Sequence, residues 1–308
     1  MKTRISVIMP VYNCEDFIAE SINSILNQSF KDLELIIIDG GSTDKTPMII
    51  DGFKDKRLKV IVSKGLGLTE SRNEGLLKAK GKLVAFQDAD DVSHPQRLAK
   101  QYLHFCQNDD LAVLGTSYYI IDEQGKIIGK KLLKENINFA DFKQGMPLCN
   151  GSVMFRKDIV LKEGLFDSLF LQCEDYELYS RLSKKGYKIV NLREFLYYLR
   201  VHKASISARK WQEQLLYACL VKDVHFGNLK KETIKEIPAK DHEQLYSILS
   251  LEAKKEYHLN IVQKYIKSKQ YYKGLNEFLK IAKLSPKEAI KLTIRAIQNP
   301  NKVLYKVY

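Results

Sequence analysis

The sequence predicts an α/β protein in which a mostly parallel mixed sheet carries helices on both faces and an all-helical appendage follows. Three observations predict it. Short β-branched or apolar runs alternate with helix-periodic segments through residues 1–208. Beyond that point glycine and proline become scarce and the apolar spacing is helical throughout. The net charge of +13 is also uneven, +3 in residues 1–208 and +10 in residues 209–308. Two domains are therefore expected, a sheet domain over 1–208 and a basic helical region over 209–308.

Each element has its own signal. Strands are expected at Ile5–Pro10, Leu33–Ile38, Leu58–Val62, Leu83–Gln87 and Leu111–Leu114, all short and apolar or β-branched. Phe17, Ile18, Ser21, Ile22, Ile25 and Leu26 keep helical spacing, and Asp44 or Thr46 caps a helix through Met48–Phe53. Thr69 or Glu70 opens another that runs to about Lys78. Glu123-Gln124-Gly125 is a turn between Tyr118–Ile121 and Lys126–Ile128, so antiparallel strands follow the parallel part. In the appendage, helices are expected at Trp211–Phe226, Leu245–Ile266, Tyr271–Lys283 and Lys287–Ile297.

Composition narrows the function. Over 308 residues, 45% are apolar and 28% charged, which permits a full core and excludes wholesale disorder. No run approaches the roughly 18 to 20 apolar residues that cross a bilayer. Met1-Lys2-Thr3-Arg4 leads directly into the first strand, so no signal peptide and a cytoplasmic location are expected. Cys14, Cys106, Cys149, Cys173 and Cys219 form no Cys-x-x-Cys pair, which argues for free thiols over disulfides or a zinc knuckle. The basic tail suits nucleic acid, an anionic membrane or an acidic substrate, or is simply a solvated lysine-rich surface. No nucleic-acid-binding motif is present, so a non-enzymatic nucleic-acid-binding protein is disfavoured.

In open α/β sheets, ligands sit beyond the carboxyl ends of the parallel strands. There the sequence places Met9-Pro10-Val11-Tyr12-Asn13, Asp39-Gly40-Gly41-Ser42-Thr43-Asp44 and Asp88-Ala89-Asp90-Asp91. Asp88 and Asp90 are two apart on extended backbone and can point the same way. Two such carboxylates repel unless a hard cation such as Mg²⁺ or Mn²⁺ sits beside them. Asp39 either supports its own turn or, with Asp44 doing the capping, accepts hydrogen bonds from a base edge. Arg72 either sits on a salt bridge or offers a planar fork to phosphate or base. Glu174-Asp175 opens a later helix, where anions are favourable in any case.

These blocks, with Ser71-Arg72-Asn73-x-Gly75, Gly164-x-Phe166-Asp167, Glu174-Asp175-x-x-Leu178-x-x-Arg181-Leu182, Gly186-Tyr187 and Arg200-Val201-His202-x-x-Ser205, resemble the ordered motifs of family 2 glycosyltransferases of GT-A fold. The resemblance covers about residues 4–208 and does not reach the tail. It implies an inverting transferase that moves a sugar from a nucleotide-diphosphate donor, a UDP-sugar favoured, to a hydroxyl of a glycan or lipid-linked glycan. Such work serves bacterial surface polysaccharide synthesis, with the tail on the inner membrane face. Carried over by residue, Pro10, Val11, Tyr12, Asp39 and Arg72 bind the nucleotide, Asp88 the ribose, and Asp90 with His202 the metal, Mn²⁺ or Mg²⁺. Asp175 is the general base, Glu174 its alternate or an acceptor contact, and Arg200 and Ser205 assist. Asn150-Gly151-Ser152 lies where the family places an acceptor-side loop, and a plain turn into a strand over Val153-Met154-Phe155 serves as well. A sugar-1-phosphate nucleotidyltransferase would need a glycine-rich basic loop after the first strand, and Pro10–Asp16 is acidic and lacks glycine.

Overall fold

The structure, a computed structural model, describes residues 3–290 apart from residues 64 and 288. The chain divides into two compact units: residues 1–168 with 174–208, and residues 169–173 with 209–308.

In the first unit, β1 (Ile5–Val11), α1 (Ile18–Leu26), β2 (Leu33–Asp39), α2 (Thr46–Asp51), β3 (Leu58–Val62), α3 (Leu68–Lys78) and β4 (Leu83–Phe86) follow the expected alternation. Next come β5 (Val92–Ser93), α4 (Arg97–Gln107), β6 (Leu111–Ile121), β7 (Ile127–Lys131), β8 (Asn136–Ile137) and the short α5 (Phe139–Phe142). The unit closes with β9 (Met154–Arg156), α6 (Lys157–Lys162), α7 (Glu174–Lys184) and β10 (Lys188–Arg200). All ten strands share one sheet in the order β3-β2-β1-β4-β9-β6-β10-β5, with β7 on β6 and β8 on β10.

Strands β3, β2, β1 and β4 pair in parallel, so their exits lie along one edge. Strands β1 and β2 are covered on both faces, which is why they read as unbroken apolar runs. The core lies beneath α1 and α4, where Ile18, Ile22, Ile25, Leu98 and Phe105 pack on Val7, Met9, Leu35 and Ile37.

Strand β9 runs antiparallel to both β4 and β6, while β10 runs parallel to β6. The entry to β9 and the exit of β10 therefore lie at the same edge as the exits of β1, β2 and β4. Several features differ from the sequence expectation. Leu111–Leu114 and Tyr118–Ile121 are one strand, because buried Gly115, Thr116 and Ser117 continue the pairing that their small polar character conceals. Strand β10 was not expected, and β9 answers the alternative reading of Asn150–Ser152 as a turn into a strand. Strand β9 has only three residues, and β10 alternates irregularly through register shifts between Lys188 and Ile189 and between Leu192 and Tyr197.

After the short α8 (Ile206–Arg209), α9 (Trp211–Phe226), α10 (Lys231–Lys235), α11 (His242–Ser247), α12 (Leu251–Lys267) and α13 (Tyr271–Leu284) follow one another in the second unit. The helix expected over Leu245–Ile266 is interrupted between α11 and α12. Asp223 accepts from the Ser250 amide at 2.6 Å and its hydroxyl at 2.7 Å, and the Ser250 hydroxyl caps α12 by accepting from Ala253 N. The greater part of the expected helix Lys287–Ile297 lies outside the described residues. No helix among the described residues is long and apolar enough to cross a membrane.

Gly81 sets how closely the chain enters β4. A Cβ there would lie 2.6 Å from Ser6 N and 2.8 Å from both Ile5 C and Leu83 O, all main-chain atoms that cannot step aside. Gly81→Ala is expected to lower stability by about 2–3 kcal/mol, as overpacking does, read as the shift of the urea unfolding midpoint; an unchanged midpoint would contradict this packing.

Candidate active site

The first wall of the site comes from the exits of β1 and β2, whose last residues Val11 and Asp39 are register partners. Gly40 N donates to Val11 O at 2.9 Å. Asn13 takes the left-handed conformation at φ 47°, which asparagine tolerates better than most residues. Its amide donates to Ser42 Oγ at 2.9 Å and its Oδ1 accepts from Thr43 N at 2.8 Å, lacing the two loops together. Pro10 is half-buried and Val11 buried, while the Tyr12 ring stands 63% exposed beside Gly40.

Asp39 is buried and supports its own turn. Its Oδ1 accepts from Ser42 N at 2.9 Å, Ser42 Oγ at 2.7 Å and Gly41 N at 3.2 Å. Asp44 meanwhile accepts from Thr46 N at 3.0 Å and Glu15 N at 3.1 Å. Of the two open readings of Asp39, the turn-supporting one is seen here: both acids work in the loop, and three donors converge on one Asp39 oxygen. Among the described residues, nothing donates to Asp39 Oδ2.

The acidic tip after β4 is folded by Gln87, which is fully buried. Its Nε2 donates to Asp88 O at 3.1 Å and Asp91 O at 2.9 Å, and its Oε1 accepts from Ser93 Oγ at 2.6 Å. Ser21 of α1 adds a bond to Asp88 O at 3.0 Å. Arg200 clamps the tip from the exit of β10. Its Nε donates to Asp90 O at 2.8 Å, and its Nη1 to Asp122 O and Glu123 O at 3.1 and 3.0 Å. Its Nη2 pairs with Glu20 at 2.5 Å. Asp91 turns inward and accepts from Arg200 N at 2.7 Å; burial first, then Asp90 and Asp88, push its carboxyl well above the usual range. Ser205 donates to His202 O at 3.0 Å.

Asp90 and His202 are brought together. Asp90 Oδ2 lies 2.8 Å from His202 Nε2, and the His202 ring packs on Phe17 at a centroid distance of 4.8 Å. Two adjacent ligands bound to Mg²⁺ or Mn²⁺ at a right angle lie about 3 Å apart, given metal–oxygen bonds near 2.1 Å. One carboxylate oxygen and one imidazole nitrogen at that spacing fit such an ion. No third His, Cys, Asp or Glu joins them in a cluster among the described residues. The remaining positions would fall to phosphate and water, as this ion commonly arranges.

Across from this pair, Arg72 leaves the first turns of α3 and is almost wholly buried. Its Nη1 forms an ion pair with Glu174 Oε1, its Nη2 lies 3.8 Å from Asp88 Oδ1, and its guanidinium sits 5.5 Å from the centre of the Phe86 ring. Glu174 and Asp175 open α7, and Asp175 Oδ1 accepts from Tyr176 N at 2.7 Å. One cation thus serves three carboxylates, and not all three can remain ionised without water. Burial pushes Glu174 up to about 7 against the pull of Arg72, with Asp175 adding to the rise. Burial raises Asp175 and Asp88 too, again opposed by Arg72. The second Glu174 oxygen and Arg72 Nε are buried without a hydrogen-bond partner.

Several residues of the site were not singled out in the sequence. Tyr197 OH accepts from Asp88 N at 3.2 Å. Arg97, fully buried, donates to Gly151 O at 2.7 Å and Phe86 O at 3.0 Å, joining the β9 entry to the β4 exit; burial pulls it down to about 10. Asn150 accepts from Tyr179 OH at 2.9 Å. Gly151 lies against Asp88, since a Cβ there would fall 2.2 Å from Tyr197 OH and 2.6 Å from Asp88 Oδ2. The loop expected on the acceptor side thus also abuts Asp88. Arg97 carries no sequence signal: it stands on a helix with ordinary amphipathic spacing.

The pattern described as Glycosyl transferase family 2 matches residues 6–164. EpsE of Bacillus subtilis (strain 168) is 35% identical over 224 residues, covering 71% of this chain and 80% of EpsE. The Escherichia coli UDP-Glc:alpha-D-GlcNAc-diphosphoundecaprenol beta-1,3-glucosyltransferase WfaP is 32% identical over 222 residues, 71% of this chain and 86% of WfaP. Among solved structures, the mannosyltransferase PcManGT of Pyrobaculum calidifontis, in complex with GDP-Man and Mn2+, superposes with a TM-score of 0.61 at 16% identity, over 97% of this chain and 81% of that one.

Two outcomes follow from the geometry. A carboxyl held near 7 in the fold and at 4.5 when unfolded binds extra protons in the native state between those values, so its contribution to stability is lost as pH rises through that window. Glu174→Gln should therefore gain stability relative to wild type from about pH 4.5 to about 7 in parallel thermal melts, and a constant difference would remove the proton from Glu174. Gly151→Ala should push Asp88 and Tyr197 aside and lower stability by about 1–3 kcal/mol, as overpacking does, read as the shift of the thermal midpoint; an unchanged midpoint would contradict this contact.

Proposed function

The chain belongs to glycosyl transferase family 2 and has its GT-A fold, and from that membership we propose that it is an inverting, metal-dependent transferase. Its donor would be a nucleotide-diphosphate sugar, a UDP-sugar in preference. Its acceptor would be a hydroxyl of a glycan or lipid-linked glycan in surface polysaccharide synthesis. The single observation that carries the reading is the pair of opposed charged groups at one sheet edge: Asp90 with His202 on one side, and Arg72 with Asp88, Glu174 and Asp175 on the other.

The residues divide the work as follows. The free Asp39 oxygen accepts from a base N–H, and the laced loop bearing Pro10, Val11 and Tyr12 supports the nucleoside. Asp88 holds the ribose hydroxyls. Asp90 and His202 would hold Mn²⁺ or Mg²⁺, which when bound supplies positive charge to the departing diphosphate. Arg72 adds a fixed cation in a dry setting, where its field acts strongly on developing negative charge.

Asp175 takes the proton of the acceptor hydroxyl as that oxygen attacks the anomeric carbon. Its raised pKa makes it a better base than a solvated aspartate. Glu174 is committed to Arg72 and acts as a positioning residue, which favours Asp175 as the base. Attack opposite the leaving group inverts the anomeric centre. UDP is preferred because WfaP, at 32% identity, is named for UDP-Glc. The acceptor class rests on the same relative, whose name specifies a diphosphoundecaprenol-linked sugar. A cytoplasmic enzyme in peripheral contact with an anionic membrane through its C-terminal unit agrees with that acceptor class.

A screen of nucleotide-sugars for hydrolysis and transfer, with Mn²⁺ or Mg²⁺ and with chelator, tests the reading. Asp90→Ala or excess chelator should reduce turnover to background. Asp175→Asn should keep nucleotide affinity within about threefold and lower transfer by about 10²–10⁴, the usual contribution of a general base. Full-rate transfer in chelator would overturn the metal, and full-rate transfer by Asp175→Asn would overturn the base.

A further inference from the structure

Among the described residues, helix α13 packs on α12 along the face where Gly274 and Ile281 are buried seven residues apart. Tyr271, Tyr272, Leu275 and Leu279 lie on another face and are each at least half exposed. At about 100° per residue these four side chains span a stripe of about 100°, as wide as the face a surface helix normally buries. Lys283 and Lys280, both exposed, border one side of the stripe.

Beside that border lies a cavity of about 440 Å³ lined by Tyr246, Tyr257, His258, Lys280, Lys283 and Leu284. His258 is engaged within it, Nδ1 with Glu277 at 2.6 Å and Nε2 with Tyr246 OH at 2.7 Å, and Lys280 donates to Glu277 at 2.7 Å. The cavity thus offers ammonium groups over aromatic walls. The region from residue 209 onward carries a net charge of +10, so two copies facing each other across this stripe would repel.

We propose that the exposed stripe of α13 and the lysine-bordered cavity beside it dock the C-terminal unit on the surface of a bilayer rich in anionic phospholipid. Tyr271, Tyr272, Leu275 and Leu279 enter the interface, and Lys280 and Lys283 meet lipid phosphates. The proposal rests on the glycosyltransferase reading only in that a lipid-linked acceptor lies on such a surface.

The test uses the full chain with vesicles of phosphatidylcholine alone or mixed with phosphatidylglycerol, read by co-sedimentation. The wild type should bind the mixed vesicles and leave the neutral ones in the supernatant. Tyr272→Ser with Leu275→Ser and Leu279→Ser should lose at least about tenfold in binding, since three interfacial side chains are removed. Lys280→Gln with Lys283→Gln should bind several-fold more weakly and with a shallower salt dependence. Nucleotide-sugar hydrolysis in solution, measured on the same preparations, should stay at the wild-type level. Equal binding of the triple variant overturns the proposal, as does wild-type indifference to lipid charge. So does light scattering that finds a dimer which the triple variant dissolves without loss of vesicle binding. Hydrolysis that fails in the wild type while vesicle binding persists faults the reading of the active site and leaves the docking surface standing.

Discussion

The candidate site depends on one cation buried among too many carboxylates. Arg72 is almost out of solvent, pairs with Glu174 and approaches Asp88, with Asp175 close enough to feel its field. In water the arrangement would contribute little, because solvent screens exposed pairs. Buried, it sets the protonation of its neighbours and joins two segments a hundred residues apart: the helix after β3 and the helix that opens with Glu174-Asp175. An ion pair of this kind contributes less to net stability than to fixing one arrangement of the chain.

Around that centre, the polar groups that give the site its shape are distinct from those expected to act on substrate. Gln87 folds the acidic tip, Arg97 joins the β9 entry to the β4 exit, and Arg200 closes the tip from behind. Each gives most of its donors to main-chain carbonyls, with Arg200 also pairing with Glu20. Such bonds hold a loop conformation without regard to the side chains the loop carries, so Asp88 and Asp90 are presented by a frame that does not itself need to be acidic.

Much of this was legible in the sequence, and the remainder was hidden for physical reasons. Buried parallel strands read as apolar runs, and the motif carboxylates announced themselves by falling just after those runs. The sequence placed Asp90 and His202 in one block order, but their 2.8 Å approach depends on β10, whose irregular register masks it as a strand. Gly115, Thr116 and Ser117 look like a break because a strand interior normally favours β-branched residues. The turn role of Asp39 was among the open readings; it depends on where the Ser42 hydroxyl points, and spacing cannot report that. Arg97 was invisible, since an arginine on an amphipathic helix is ordinarily a solvated residue.

The three-residue strand β9 has a consequence for how such a protein diversifies. By running against its neighbours it delivers a stretch of chain to the working rim on the way in, whereas β1, β2 and β4 deliver theirs on the way out. The long excursion that precedes it, from the end of β7 to Asn150, is anchored to the sheet through β8 and then runs from residue 138 to residue 149 without strand pairing. That stretch can therefore lengthen, shorten or change character between descendants while Gly151 stays seated on Asp88.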